Sequence, residues 1–262
     1  MRVFLDTNEM SNNRHKALFA AIATATLLTA ACGTKGGKTS ENSKADSTGQ
    51  QLPGDSMVYG LACDGCNDTI LVLLPPTGED PDTLNILNAS KERQVFGRLT
   101  AGDKVGVMLN PQDRKVADIV IDIDRLKGEW CYLVKPQLRQ RADFDPSRLQ
   151  PEERVKMDSI LKQMMQPREY GMNIKSENIV QPIGARVQEG DGPAVFPPQK
   201  RYREWRLFNG RLLLNETQRD TAGVSTVTNT DTAQFVLLRR DSLVLRFSDG
   251  TEKGFYRKTG ER

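Results

Sequence analysis

The sequence predicts an all-β protein, in which a small N-terminal β-barrel or sandwich is followed by an eight-stranded barrel with one inserted helix. Three observations carry this expectation. Between residues 55 and 258 the apolar residues come in short runs with turn residues between them. Two of the breaks are Asn209-Gly210 and Asp249-Gly250, the strongest short hairpin signals. Only the stretch near 151–166 repeats its apolar residues at helical spacing. The 262 residues are 37% hydrophobic and 27% charged, ample for one large core or two smaller ones.

The first segment is a targeting signal. Residues 17–31 are uncharged and mostly apolar, with Arg14, His15 and Lys16 just before them. A positive start, a short apolar run and small residues at its end make a secretory signal, expected over 1–31. The run is shorter than the ~20 residues that span a bilayer. Met10 offers a second start, with Met-Ser-Asn-Asn-Arg-His-Lys before the apolar run. Leu28-Thr29-Ala30-Ala31-Cys32 resembles the lipobox of bacterial lipoproteins, with Thr29 where leucine is usual. The resemblance implies that Cys32 becomes the lipid-modified first residue of the mature chain and its tie to the outer membrane. Residues 33–54, rich in Gly, Ser, Thr, Lys and Asp, read as a flexible tether. No acidic cluster follows Cys32. Such a cluster resembles a surface-export signal in some gut bacteria, so the expected side is periplasmic.

Composition excludes several classes of function. The one histidine, His15, lies before the apolar run, so the expected mature chain has none. That removes Ser/His/Asp and Cys/His catalysis and histidine zinc sites. A net charge of +3 gives no basic excess for nucleic acid.

The first folded unit is expected over 55–125. Its apolar runs are 57–62, 69–74, 83–87, 95–99, 104–109 and 116–123, with turns at 75–78, 88–90, 101–103 and 110–113. Ile119, Ile121 and Ile123 alternate with Val120, Asp122 and Asp124, which predicts a half-buried strand with the acids in solvent. Asp118, Asp122 and Asp124 are not expected to hold calcium, because no loop brings other oxygens to them.

Cys63-Asp64-Gly65-Cys66 is the chemical oddity of this unit. Two cysteines this close in an exported chain read first as a structural disulfide. A metal or redox sensor is the second reading, since a Cys-x-x-Cys pair can hold a linear copper(I) ion. An oxidoreductase comes third, because the pair precedes a β-run where a thioredoxin-type motif needs a helix. Tyr59-Gly-Leu-Ala-Cys63-Asp-Gly-Cys66-Asn-Asp68 resembles the N-terminal segment of the NlpE-type copper-resistance and envelope-stress lipoproteins over ten to fifteen residues. That resemblance implies a small β-barrel with a disulfide-capped strand, and metal or envelope sensing.

The second unit is expected over 126–262. Its candidate strands are 130–134, 171–175, 179–187, 202–208, 211–218, 232–238, 243–247 and 253–258. Eight strands make an up-and-down barrel that can hold one small ligand. Pro151 opens the inserted helix, Glu152 and Glu153 suit its dipole, and Pro167 stops it. Its face of Met157, Ile160, Leu161, Met164 and Met165 predicts packing on the barrel, with a lid over the barrel mouth as the second reading. The Pro/Gly loop 190–198 is a candidate rim of the same mouth. Cys131 is left unpaired, as a buried thiol or a partner in disulfide exchange. The 200–206 segment reads as the polar face of a strand, with Trp205 as an alternative stacking platform for an anionic ligand.

Gly128-Glu129-Trp130 opens this unit and resembles the lipocalins and their bacterial lipocalin-like relatives. Trp205-Arg206-Leu207-Phe208-Asn209-Gly210 and Phe255-Tyr256-Arg257-Lys258 continue the likeness to lipocalin-like domains on lipoproteins of Bacteroides-type bacteria. The resemblance implies that Trp130 closes one end of a barrel, with Gly128 allowing the turn beside it. Gly128, Trp130 and Trp205 are the candidate ligand-binding or barrel-closing residues.

The expected function is therefore non-catalytic: a lipoprotein, anchored to the membrane through lipid on Cys32, that binds a small apolar or amphipathic molecule or an envelope partner. Its alternative is a stress or copper sensor acting through Cys63 and Cys66. No cofactor, catalytic residue or resident metal is expected. Acids such as Asp143, Asp145, Glu152 and Glu153 have no spacing that selects a hydrolytic pair.

Overall fold

A computed structural model describes residues 51–139, 150–184, 194–221 and 223–258. The signal segment, Cys32, the tether up to residue 50, and Asp143 and Asp145 lie outside the described residues. The protein is mostly β, as expected, with two main sheets.

The first sheet contains β1 (Met57–Ala62), β2 (Ile70–Leu74), β3 (Asp82–Asn85), β4 (Val95–Phe96), β5 (Lys104–Leu109) and β6 (Ala117–Asp122), in the order β3-β2-β1-β5-β6-β4. Asn85 donates its N–H to the Lys115 carbonyl at 2.8 Å and bridges to Val116, which curls the β3 edge back towards β6. Two expectations change here. The turn expected at 88–90 is a short helix, α1 (Leu87–Lys91), which buries Ala89. The strand expected at 95–99 is only β4, paired parallel to β6.

The acids of β6 bring a further correction. Asp122 is fully buried, where alternation predicted a solvated side chain. The strand ends at this residue because its carboxylate accepts the Arg125 N–H at 2.7 Å, capping α2 (Ile123–Leu126). The turn at Gly97 packs against it. Gly97 has φ +105°, and a Cβ there would stand 2.3 Å from the Asp122 Cβ, so only glycine fits.

The second sheet is the barrel. Its strands are β7 (Gly128–Val134), β9 (Arg168–Ile174), β10 (Val180–Ile183), β12 (Glu204–Phe208), β13 (Arg211–Arg219), β14 (Ser225–Leu238), β15 (Ser242–Phe247) and β16 (Glu252–Arg257). Apart from the β16–β7 pair, each hydrogen-bonded neighbour in space is also the next barrel strand along the chain, and these pairs are antiparallel. Closure comes at two seams. β16 pairs with β7 through Tyr256 with Cys131 and Arg257 with Trp130. β10 meets β12 through the Ile179–Glu204 bridge and the Val180 N–H to Arg203 carbonyl bond. Short strands β8 (Gln137–Leu138) and β11 (Ala194–Val195) pair separately.

Both hairpin signals form turns. Asn209 and Gly210 take positive φ, 47° and 74°, as a two-residue turn between β12 and β13 requires. Gly250, at φ 84°, follows Asp249 between β15 and β16. The inserted helix is α3 (Pro151–Met164), begun by a capping box between Gln150 and Glu153. It has no buried residue, so its methionine face is not the core packing that the stripe predicted. No helix among the described residues is long and apolar enough to cross a membrane.

Both sheets belong to one compact unit. Met57, Phe96, Ile121, Ile123 and Leu126 share a single buried cluster with Trp130, Leu207, Phe235 and Leu238 of the barrel. Phe96 and Phe235 have ring centroids 5.4 Å apart, and the Gly97 N–H donates to the Leu238 carbonyl at 3.1 Å. The first sheet thus plugs the barrel end where β7 begins and β14 finishes. The 125/126 boundary falls inside α2, beside fully buried Leu126. The last residues of the expected tether also fold back, since Asn209 Nδ2 donates to the Gly54 carbonyl at 3.3 Å and Asp55 Oδ1 accepts the Asn209 N–H at 3.0 Å.

Candidate functional site: the open mouth of the barrel

The barrel interior is filled. Trp130, Leu212, Leu214, Leu243 and Leu245 are fully buried, and Trp205 nearly so. A half-open cavity of about 30 Å³ lies at the end opposite the plug. That is room for about two or three water molecules, and not for a long apolar chain.

Strand parity decides which side chains face this cavity. Lys253 stands two residues from buried Phe255, and Tyr132 two residues from Trp130, so each points inward one step nearer the mouth. Phe247 ends β15 at the same level. The Tyr132 ring meets Phe255 edge-on at 5.4 Å. Lys253 Nζ lies 4.4 Å from the Tyr132 ring centre and 3.4 Å from its hydroxyl. Among the described residues, no carboxylate lies within salt-bridge distance of Lys253. Burial pushes its pKa down, and the nearby Lys200 charge adds to that; Asp231 and Asp249 pull the other way.

The neighbouring charges are already paired. Lys200 donates to both oxygens of Asp231, at 2.9 and 2.7 Å. The Tyr202 hydroxyl donates to the same carboxylate. Burial, then this hydrogen bond, drives the Tyr202 pKa upwards, so the phenol stays protonated. Gln199 donates to the Gly171 and Ile183 carbonyls at 3.0 and 2.8 Å, which fixes its amide beside the cavity. Its buried Oε1 accepts no hydrogen bond.

The residues singled out from sequence lie elsewhere. Trp130 sits at the plugged end, donating its Nε1–H to the Leu126 carbonyl at 2.7 Å. Arg257 lies over its ring at 4.1 Å. Gly128 has φ +125°, and a Cβ there would meet Arg257 Nη1 at 2.2 Å. Trp205 donates to the Lys175 carbonyl at 2.8 Å and is buried, so it does not serve the alternative role of a stacking platform. None of the three lines the cavity. Of the candidate rim loop, 190–193 lie outside the described residues; Phe196 is buried under Arg168, and Gln199 just beyond the loop reaches the cavity.

Cys63 and Cys66 follow β1, far in sequence from the mouth, and both are free thiols, which corrects the expected disulfide. Each sulfur has its own backbone partner. Cys66 Sγ accepts the Val72 N–H at 3.3 Å, and Cys63 Sγ faces the Leu61 carbonyl at 3.9 Å. Cys131 is buried and its thiol pKa is raised, by desolvation first and then by Glu169. No cluster of three or more His, Cys, Asp or Glu side chains suited to a metal occurs among the described residues.

Sequence reasoning missed Lys253, Tyr132, Tyr202 and Asp231 as site residues. The signal for Lys253 was present: in Lys253-Gly-Phe255-Tyr-Arg257 the charged residues share the inward parity of the phenylalanine. Comparison with known protein families, with curated proteins and with solved structures gives no match to this chain.

Proposed function

We propose that this chain is a lipoprotein of the outer membrane, held at the periplasmic face through lipid on Cys32, that binds a small amphipathic molecule without catalysis. The observation that carries the binding reading is the barrel itself. It is plugged at one end and filled along its length, with one aromatic-walled cavity at the other end. Such a barrel takes the head of an amphipathic molecule at its mouth rather than an apolar body inside. The β7–β9 connection that carries α3 leaves and rejoins the barrel at this same end, where Val134 pairs with Arg168. Its exposed Ile160 and Met164 offer apolar surface to the rest of the molecule.

Native mass spectrometry of the protein isolated from its own envelope tests both halves. The expected spectrum has an acyl increment on a chain beginning at Cys32 and a non-covalent small-molecule adduct. A chain without acyl mass rejects the anchor, and a chain free of adduct at every collision energy rejects the small-molecule reading in favour of a protein partner.

A second reading is supported by the thiols. Cys63 and Cys66 are partly exposed on one turn and not joined in a disulfide, a donor pair that fits a two-coordinate copper(I) ion. Copper sensing through this pair predicts that copper(I) protects both thiols from alkylation.

A further inference from the structure

We propose that the barrel mouth selects an anionic head group, a carboxylate, seated on the Lys253 ammonium. This rests on the binding reading above and names the chemistry of its ligand.

Charge accounting at the mouth comes first. Two ammonium groups line the cavity, Lys200 and Lys253, and among the described residues no acid lines it. Lys200 is neutralised by Asp231, whose oxygens also take the Tyr202 hydroxyl. Among the described residues, the contacts of the Lys253 ammonium are the face and hydroxyl of Tyr132. A half-buried ammonium with no counter-charge in contact is costly, and an arriving anion relieves that cost while a cation adds to it. The aromatic walls do not form a cage for a cationic ligand, because Lys253 already occupies the Tyr132 face.

Size points the same way. The cavity has room for a carboxylate and little more, so the alkyl chain stays outside the filled interior. The edges of Phe247 and Phe255 then meet the first methylenes, and the rest of the molecule lies outside the barrel. Lys253 must be protonated to act. The charged groups that face it are Lys200, Asp231 and Asp249, and its titration lies below that of an ordinary lysine. Anion binding is therefore expected to fade at a lower alkaline pH than a surface lysine would give.

The test is calorimetric titration of the full chain carrying Cys32→Ser with octanoate, 1-octanol and octyltrimethylammonium. Octanoate is expected to bind at least tenfold more tightly than octanol, and the cation not at all. Lys253→Met is expected to weaken octanoate at least tenfold and leave octanol unchanged. Lys253→Arg, which keeps the charge, is expected to restore most of the octanoate affinity and controls for folding. Octanol binding as tightly as octanoate, or an unchanged octanoate affinity in Lys253→Met, overturns the anion proposal and leaves mouth binding standing. Binding of none of the three probes overturns both.

Discussion

Arg257, the last residue of β16, lies 4.1 Å above the ring of Trp130 on β7, and its guanidinium also donates to the carbonyls of Lys127 and Arg125. One side chain thus joins the final strand to the first and fastens the α2–β7 corner over the plugged end. Replacing Arg257 by Met keeps the packing stem but removes the cation–π contact and these hydrogen bonds. The expected loss is about 2–3 kcal/mol of unfolding free energy, read from urea denaturation. Lysine at this position is expected to recover less than half, because one ammonium cannot reach several carbonyls at once. A loss under about 0.5 kcal/mol for Arg257→Met would show that the seam closes without it.

Gly97→Ala tests the packing of the other corner. The new Cβ meets both a left-handed backbone and the Asp122 side chain at 2.3 Å. The expected cost exceeds about 3 kcal/mol, seen as a much lower melting temperature or insoluble protein. Gly78→Ala is the control for backbone strain alone, since nothing lies within 4 Å of its added Cβ. It is expected to cost about 1 kcal/mol.

Asp122 makes stability depend on pH in an unusual direction. Burial raises its pKa to about 6, against the lowering effect of its hydrogen bonds to the Arg125 and Arg98 N–H groups. Between the ordinary value of 3.8 and about 6, the folded chain binds more protons here than the unfolded chain. Stability from this residue is therefore present at low pH and falls as pH rises through that window, by about 3 kcal/mol in all. Asp122→Asn removes the titration. Denaturation at pH 4 and pH 7 should show the wild type losing stability relative to the variant, and equal pH slopes would reject the assignment.

The thiols are expected to separate by reactivity. In the Cys32→Ser chain kept reduced, Cys63 and Cys66 should react with Ellman's reagent within seconds to minutes, while buried Cys131 reacts only on unfolding. A fast third thiol would mean that the β7–β16 seam opens readily, because Cys131 pairs there with Tyr256.

The fold was legible because its signals are local. Asn209-Gly210 and Asp249-Gly250 dictate turns through positive φ, and alternation marks the strands they join. The failures come where tertiary packing overrides period. Asp122 breaks the expected alternation because it caps α2 and fills the corner at Gly97, a contact between residues far apart in sequence. The methionine stripe of α3 has core spacing yet no buried residue, since periodicity says which residues share a face and not whether anything covers it. At the mouth, Lys253 shares the strand parity of buried Phe255, but its lack of a carboxylate depends on Asp231 being held by Lys200 and Tyr202. That is a property of two strands and a loop together.

The two-residue seam between β16 and β7 also imposes an order on assembly. Trp130 and Arg257 are separated by most of the second sheet along the chain, so the barrel cannot shut until residues 252–257 arrive. The first sheet and its plug have every partner they need by Leu126, apart from those the barrel lends them. A chain emerging N-terminus first during its synthesis therefore lays down the floor early and waits for its wall. During that wait the inward faces of β12 to β15 are open to solvent, which makes the closing strand the slow and aggregation-sensitive step of maturation.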